Sequence, residues 1–163
     1  WDIVFRNNLT YGFIRSNDPD RDPPYNELFL LGGANSMRGY NWFSIAKRKF
    51  SNKVYNDSLA ALGPDRARIR AMRPFGGTQQ LFYQAEFEFP LISEAGIKGV
   101  VFYDIGNADD VLSATEFRSD VGFGFRWFSP IGPLRFEWGF PLERKPELEE
   151  PAVVFQFAIG SPF

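Results

Sequence analysis

The chain has 163 residues, of which 18% are aromatic and 23% are charged, and Phe alone occurs 19 times. The formal net charge of -2 gives no basic field that could steer a nucleic acid, so nucleic-acid binding is disfavoured. The chain contains no Cys and no His, which excludes disulfide frameworks, thiol nucleophiles, Ser-His dyads and the commonest zinc ligands. No run approaches the roughly 20 apolar residues of a membrane helix, so a membrane location would require strands.

The first predicted strand covers residues 1–14, in which the large side chains Trp1, Ile3, Phe5, Leu9, Tyr11 and Phe13 share one parity. Alternation with a period of two is typical of a strand that separates an apolar face from a polar face. Residues 16–24 end this strand, because they are rich in Asp, Asn and Pro, which favour turns. Since the chain starts inside the alternating segment without an initiator Met, we expect a fragment or a matured product.

Between about residues 16 and 77 no alternation is sustained, and Gly, Pro and basic residues are frequent. We predict one long loop there, since loops of that length usually carry function and membrane barrels place long loops on the outer side. The loop contains a basic run formed by Arg66, Arg68, Arg70 and Arg73. We interpret this run as a solvated surface, with contact to anionic lipid head groups or a partner as the less favoured interpretation.

Five further strands are predicted in the second half of the chain. They cover residues 79–90, 97–107, 116–128, 133–141 and 152–161. One parity of these strands is aromatic almost from end to end. The opposite parity is charged, at Glu86, Glu88, Arg118, Asp120, Arg126, Arg135 and Glu137. An aromatic face opposite a charged face is typical of a transmembrane β-barrel with lipid outside and a polar lumen, whereas a soluble β-sandwich is the alternative for alternating strands.

The fold predicted from these patterns is all-β, an antiparallel meander of about six strands in a transmembrane β-barrel with one long extracellular loop. Six strands cannot close such a barrel, because the smallest outer-membrane barrels have about eight. Either part of the barrel lies outside this chain, or several chains pair through their open edges.

No catalytic or metal-binding set emerges from the sequence. Glu86 and Glu88 share one strand face, as a glycosidase pair would, but carboxylates at this spacing more often belong to a solvated or lumenal face. The glycine pairs at residues 32–33 and 76–77 lack the strand-to-helix setting of a phosphate loop and are interpreted as turns. We therefore predict no enzyme activity, no cofactor and no metal site.

One constellation in the long loop is more specific. It consists of Gly32, Gly33, Met37, Arg38, Gly39 and Tyr40. A buried Arg needs a carboxylate partner, and Glu88 and Asp104 are candidates on adjacent strands and on the parity assigned to the lumen. The loop would then fold inward and be pinned to the barrel wall. The spacing leaves the alternative, that Arg38 is a free loop cation, equally open.

Four stretches of the sequence carry a family resemblance, at residues 32–40, 87–90, 102–107 and 122–136. They resemble the outer-membrane protein assembly factors of the BamA type, a family that includes mitochondrial and plastid relatives and the transporters of two-partner secretion. The family motif usually has Val or Ile before its Arg-Gly pair, so Met37 is a mild departure. The resemblance covers essentially the whole chain and implies that it is the C-terminal part of the barrel.

The same resemblance implies roles for two sets of residues. Arg38 would enter the lumen and meet Glu88 and Asp104. The last strand would be a barrel-targeting signal and would form a weak seam with the first strand of the barrel. Its signal positions are Phe155, Phe157, Ile159 and Phe163. A terminal Phe implies the outer membrane of a Gram-negative bacterium, with an organelle outer membrane as the less favoured location.

The function implied is assembly and insertion of outer-membrane β-barrel proteins, by templating client strands at the lateral seam. The implied partners are membrane lipids, unfolded outer-membrane clients and accessory assembly subunits, while the fragment alone would self-associate through open strand edges. The alternatives are a two-partner secretion polypeptide transporter and a passive outer-membrane pore with a cation filter of lumenal carboxylates. An enzyme carried on the same barrel ranks last.

Overall fold

A computed structural model of the protein describes residues 2–18, 20–130 and 132–160. The long strands are β1 Val4–Phe13, β4 Gln79–Ile92, β5 Ile97–Asp109, β6 Arg118–Ser129, β7 Gly132–Pro141 and β8 Val154–Ile159. The segment between β1 and β4 contains β2 Arg48–Phe50, α1 Asn52–Ala71 and β3 Met72–Pro74. The strand ends lie within three residues of the predicted ones, although residues 1 and 161 of the predicted strands fall outside the described part.

The six long strands form one antiparallel sheet in the order β1-β4-β5-β6-β7-β8. Tight hairpins join β4 to β5 and β6 to β7, and each uses a glycine with positive φ, 64° at Gly96 and 114° at Gly132. The β4-β5 hairpin fixes the register that aligns Asp104 with Gln84, and the pairing of β5 with β6 aligns Asp104 with Asp120. A six-stranded antiparallel meander is therefore present, as the alternation predicts.

The two faces of this sheet reverse the arrangement of a soluble protein. The inner face buries charged and amide side chains: Gln84, Glu86, Glu88, Asp104, Asp120, Arg126, Arg135, Glu137 and Gln156. The outer face exposes 37–69% of large apolar side chains, among them Leu9, Phe13, Phe87, Tyr103, Val121, Phe123, Trp127, Phe155, Phe157 and Ile159. A soluble sandwich would bury this apolar face, whereas a strand wall in a bilayer turns it towards lipid.

Aromatic side chains on the outer face also pack against each other across neighbouring strands. Phe125 and Phe136 have ring centroids 4.8 Å apart, and Phe136 lies 5.2 Å from Phe157 on β8. The ring centroids of Trp138 on β7 and Phe155 on β8 lie 5.1 Å apart in a second cross-strand pair. Cross-strand aromatic pairs of this kind stabilise a sheet and fix its register.

The segment between β1 and β4 is not the irregular loop predicted for residues 16–77. It contains a helical turn at Tyr25–Glu27, a two-stranded antiparallel sheet of β2 and β3, and the helix α1, which connects these two strands. Sequence patterns miss α1 because its apolar residues do not form one face and because Gly63, with φ 75°, interrupts it before Pro64. Ser51 caps its N-terminus by accepting a hydrogen bond from the Val54 amide.

The predicted basic run is divided between two elements of this segment. Arg66, Arg68 and Arg70 are exposed on α1, and Arg73 is exposed on β3.

Among the residues that the structure describes, no helix combines the length and the apolar character needed to cross a membrane.

The first part of the long segment folds back over the inner face of the sheet. Leu31 pairs with Ile45 through backbone hydrogen bonds of 2.9 and 3.0 Å, which closes the loop into a compact lobe. A small apolar core lies between this lobe and the sheet, formed by Leu31, Met37, Tyr40, Ile45, Phe82 and Ala108. The tip of the lobe, residues 32–40, is thereby placed against the charged inner wall.

Candidate functional site

Arg38 lies at the tip of the loop with none of its surface exposed. Its guanidinium donates to both carboxylate oxygens of Asp104 on β5, from Nε at 2.8 Å and from Nη2 at 2.7 Å. Nη1 donates to Oε2 of Glu86 on β4 at 2.9 Å and to Oε1 of Glu137 on β7 at 3.4 Å. A single side chain from the loop thus joins three strands of the wall through charge-assisted hydrogen bonds.

The structure brings Arg38 to one of its two predicted partners, Asp104, and not to the other. Glu88 instead accepts hydrogen bonds from Lys98 at 2.7 Å and from Arg126 at 3.1 Å. The reason is register, because Gln84 lies level with Asp104 and each further inward-facing position on β4 is about 7 Å away along the strand. Glu86 is one such step from that level and Glu88 is two, so Glu86 takes the place predicted for Glu88.

Two further arginines of the wall extend the cluster around Arg38. Arg126 on β6 donates to Glu86 at 2.6 Å and to Glu137 at 3.2 Å. Arg135 on β7 donates to Glu137 at 2.9 Å and also bonds the main-chain oxygen of Ala34 in the loop. The sequence places these residues on the lumenal parity but does not assign them to the site. The signal that could have found them is the mixture of both charge signs on one strand face.

The guanidinium of Arg38 also stacks on an aromatic ring. Its Cζ lies 3.7 Å from the ring centroid of Phe102 on β5, a cation–π contact. Phe102 pairs with Gly122 on β6, and a Cβ at Gly122 would lie 2.2 Å from the Phe102 ring. Gly122 is therefore needed for the ring to lie flat beneath Arg38.

The remaining residues of the loop motif shape the tip. Gly32 and Gly33 have φ values of 111° and 101°, which side chains rarely adopt. The amide of Gly33 donates to the main-chain oxygens of Met37 and Tyr40, both at 3.1 Å, and so closes the turn. Met37 is fully buried, and the Tyr40 hydroxyl donates to the main-chain oxygen of Ser119 at 3.0 Å.

The main chain of the tip lies directly on the wall at Gly39. A Cβ at Gly139 on β7 would lie 2.5 Å from the Gly39 Cα, and a Cβ at Gly39 would lie 2.4 Å from the Cβ of Asp120. Two glycines from distant parts of the chain therefore allow the loop backbone to touch the sheet. Asp120 itself is fully buried beside Asp104, and within the described residues neither of its carboxylate oxygens has a hydrogen-bond partner.

The predicted targeting strand is β8, at one edge of the sheet. Phe155, Phe157 and Ile159 are 52%, 50% and 65% exposed on its outer face, while Phe163 lies outside the described residues. Within the described part of the chain, β8 pairs with β7 alone, and β1 at the opposite edge pairs with β4 alone. Both edges therefore present backbone groups that could pair with a further strand.

The site is built for binding the loop to the wall. Within the described ranges, no cluster of three or more carboxylate side chains is arranged to hold a metal ion. The carboxylates of Glu86, Asp104 and Glu137 are turned towards guanidinium groups, and the loop covers them. Such an arrangement can act as a brace between the loop and several strands.

Comparisons with known proteins identify the family of this chain. The Omp85 superfamily domain model matches residues 1–163. The outer membrane protein assembly factor BamA of Nitratidesulfovibrio vulgaris is 32% identical over 148 residues, which cover 87% of this chain and 16% of that protein. BamA of Neisseria meningitidis serogroup B is 27% identical over 157 residues, which cover 88% of this chain and 19% of that protein. The chain thus spans less than a fifth of these relatives.

A solved structure shows the same fold. BamA from Haemophilus ducreyi lacking POTRA domains 1-3 matches with a TM-score of 0.63 at 18% identity, over 95% of this chain and 34% of that chain. The predicted resemblance to BamA-type proteins, the predicted β-barrel fold and the predicted outer-membrane location are confirmed by these matches. The chain belongs to the Omp85 superfamily.

Proposed function

We propose that this chain is the part of an outer-membrane protein assembly factor that forms its lateral seam and braces the wall beside it. Client strands would be templated at the open edge of β8, and the Arg38 loop would hold the neighbouring wall rigid. The names of the relatives support assembly of outer-membrane proteins as the broad function. The observation that carries the proposal is the buried Arg38, bound to three strands of the wall, of which β7 neighbours the seam strand β8.

The position of this loop is strongly determined by electrostatics. Arg38 and Asp104 are both fully buried, so neither charge can be solvated if its partner is removed. Removing one member of a buried ion pair typically costs about 3–5 kcal/mol. A loop held in this way would keep β4, β5 and β7 in one arrangement while the edge of the sheet changes partners.

The edge strand β8 is suited to exchange. Among the described residues it pairs with β7 over six residue pairs, whereas β6 and β7 pair over ten. An unpaired edge in a bilayer leaves backbone groups without hydrogen bonds, which favours addition of a further strand. A client strand added to β8 would gain main-chain hydrogen bonds without a defined sequence, which suits a factor that acts on many clients.

The outer surface of the sheet supports contact with lipids as partners. Its exposed aromatic and aliphatic side chains lie on strands long enough to span a membrane, such as β4 with 14 residues. Unfolded outer-membrane proteins as clients and accessory assembly subunits as further partners are part of the proposal. A passive pore receives less support, because the loop covers the charged face that would line its channel.

The experiment is a charge exchange in the full-length protein that contains this chain, reconstituted in liposomes with an unfolded outer-membrane protein as client. Arg38→Glu should abolish client assembly, and Arg38→Glu with Asp104→Arg should restore part of it. Arg66→Glu is the matched control, because it makes the same reversal on the exposed surface of α1. Unchanged assembly in all variants would refute the brace, and ion conductance without assembly would favour the pore.

A further inference from the structure

We propose that Gln156 on β8 is a latch that couples the loop tip to the seam strand, so that the loop position sets how readily β8 leaves the sheet. The inference rests on the proposed function, since it names a positioning residue for the seam. Only 3% of the surface of Gln156 is exposed, and the residue lies between the outward-facing Phe155 and Phe157. Nothing in the alternating pattern of the strand requires an amide there.

The amide group of Gln156 bonds the loop main chain on both sides of Gly39. Nε2 donates to the main-chain oxygen of Arg38 at 3.2 Å and to that of Tyr40 at 3.1 Å. A side-chain amide carries two donor hydrogens, so these two bonds use both of them. In the described residues, Gln156 supplies the side-chain hydrogen bonds that connect β8 with the loop.

The absence of a side chain at Gly139 of β7, next to β8, brings the loop tip within reach of Gln156. Glu137 and Gly139 of β7 pair with Gln156 and Val154 of β8. The Gly139 position lies so close to the tip that a Cβ there would be 2.6 Å from the Arg38 carbonyl carbon. A side chain at this position would lift the loop carbonyls away from Gln156.

The latch differs in strength from the rest of the brace. The side chain of Arg38 holds β4, β5 and β7 with charge-assisted hydrogen bonds, whereas its main-chain oxygen holds β8 with a neutral one. Neutral hydrogen bonds are weaker than charge-assisted ones. The contact with β8 can therefore release while the loop stays bound to the wall, and the seam can open without loss of the brace.

The test measures hydrogen exchange of the β8 amides in the full-length protein in lipid nanodiscs. Gln156→Met keeps the side-chain volume and removes the donors, and we expect exchange in residues 154–159 to become on the order of five- to tenfold faster. Gln84→Met is the matched control. Gln84 is also buried and donates to the Ser36 main-chain oxygen at 2.8 Å, but it lies on the interior strand β4. Its replacement should leave β8 exchange unchanged.

A second variant covers the case in which Gln156→Met does not fold. Gly139→Ala displaces the loop tip without substituting any residue of β8. It should accelerate the exchange of the β8 amides to a similar extent. In the double variant the two effects should not add, because both break the same contact. Unchanged β8 exchange in either single variant, or equal acceleration by Gln84→Met, would overturn the latch.

Client assembly measured on the same samples separates the latch from the proposed function. Faster β8 exchange with an altered assembly rate supports both. Faster exchange with unchanged assembly supports the latch and rejects the seam as the site of templating. Unchanged exchange rejects the latch whatever happens to assembly.

Discussion

Replacing Asp104 by Asn should destabilise the protein, whereas replacing Asp120 by Asn should not, although the two residues are partners on neighbouring strands. Asp104 accepts hydrogen bonds from Nε, Nη2 and the main-chain amide of Arg38. Asp104→Asn removes the charge that balances a buried guanidinium and turns an amide donor towards these donors. By analogy with broken buried ion pairs, the free energy of unfolding should fall by about 3–5 kcal/mol.

Asp120 is equally buried but has no hydrogen-bond partner among the described residues. Its strand pairing with Asp104 places the Cβ atoms of the two acidic side chains about 5 Å apart, and two charges at that separation repel by roughly 3 kcal/mol at an effective dielectric constant of about 20. Asp120→Asn keeps the shape of the side chain and removes the charge. The free energy of unfolding should therefore stay unchanged or rise by up to about 3 kcal/mol.

The assay is urea unfolding of the full-length protein in detergent micelles or lipid, followed by tryptophan fluorescence and by heat-modifiable migration on gels. Both variants change one carboxylate to an amide at paired positions, so each controls for the other. The reasoning would be refuted if Asp120→Asn destabilised the protein as much as Asp104→Asn, or if Asp104→Asn had no effect.

Three further predictions address other parts of the structure. Gly139→Ala should destabilise the loop-wall contact by about 1–3 kcal/mol in the same unfolding assay, because its Cβ would meet backbone atoms, whereas the Cβ of Gly99→Ala would meet side-chain atoms of Phe89 and Leu91, which can move aside. The hydrogen bond from Lys47 lowers the pKa of Asp110, so this contact stabilises the fold above the unfolded-state value near 4 and weakens as the pH falls below it. Asp110→Asn should remove that pH dependence from hydrogen exchange of the loop. Phe123→Arg on the outer face should destabilise the membrane-embedded protein by about 2–4 kcal/mol, but have a much smaller effect if that face met water.

The sheet could be predicted from the sequence because each strand carries its own signal. Alternation between an aromatic and a charged parity is local, and it fixes which face of β6, with Phe123 and Arg126 on opposite parities, meets lipid. Polar residues are buried and apolar residues are exposed, unlike in a soluble protein, and this too follows from the parity because the apolar face meets lipid instead of water. Strand ends were less well determined, as in β6, where residues 114–116 form a helical turn.

The site was only partly predictable, because it depends on where a long loop comes to rest. Asp104 could be named as a partner of Arg38, but the depth of the tip along β4 is set by tertiary packing, so Glu86 and Glu88 could not be distinguished. The helix α1 was missed because Gly63 and Pro64 interrupt it. A lone buried amide such as Gln156 has no sequence signature, since its partners are main-chain oxygens far away in the chain.

The central claim is that client strands pair with β8 at a lateral seam, and disulfide mapping tests it most directly. Phe157→Cys on β8 would be combined with single cysteines along the terminal strand of a client arrested during assembly in the full-length protein. We expect disulfides at one client position and none at the positions one residue to either side, whose side chains point to the opposite face of an in-register strand. Phe123→Cys, on the same face of the interior strand β6, should give none. Equal cross-linking at both positions, or none at β8 while assembly proceeds, would contradict the account.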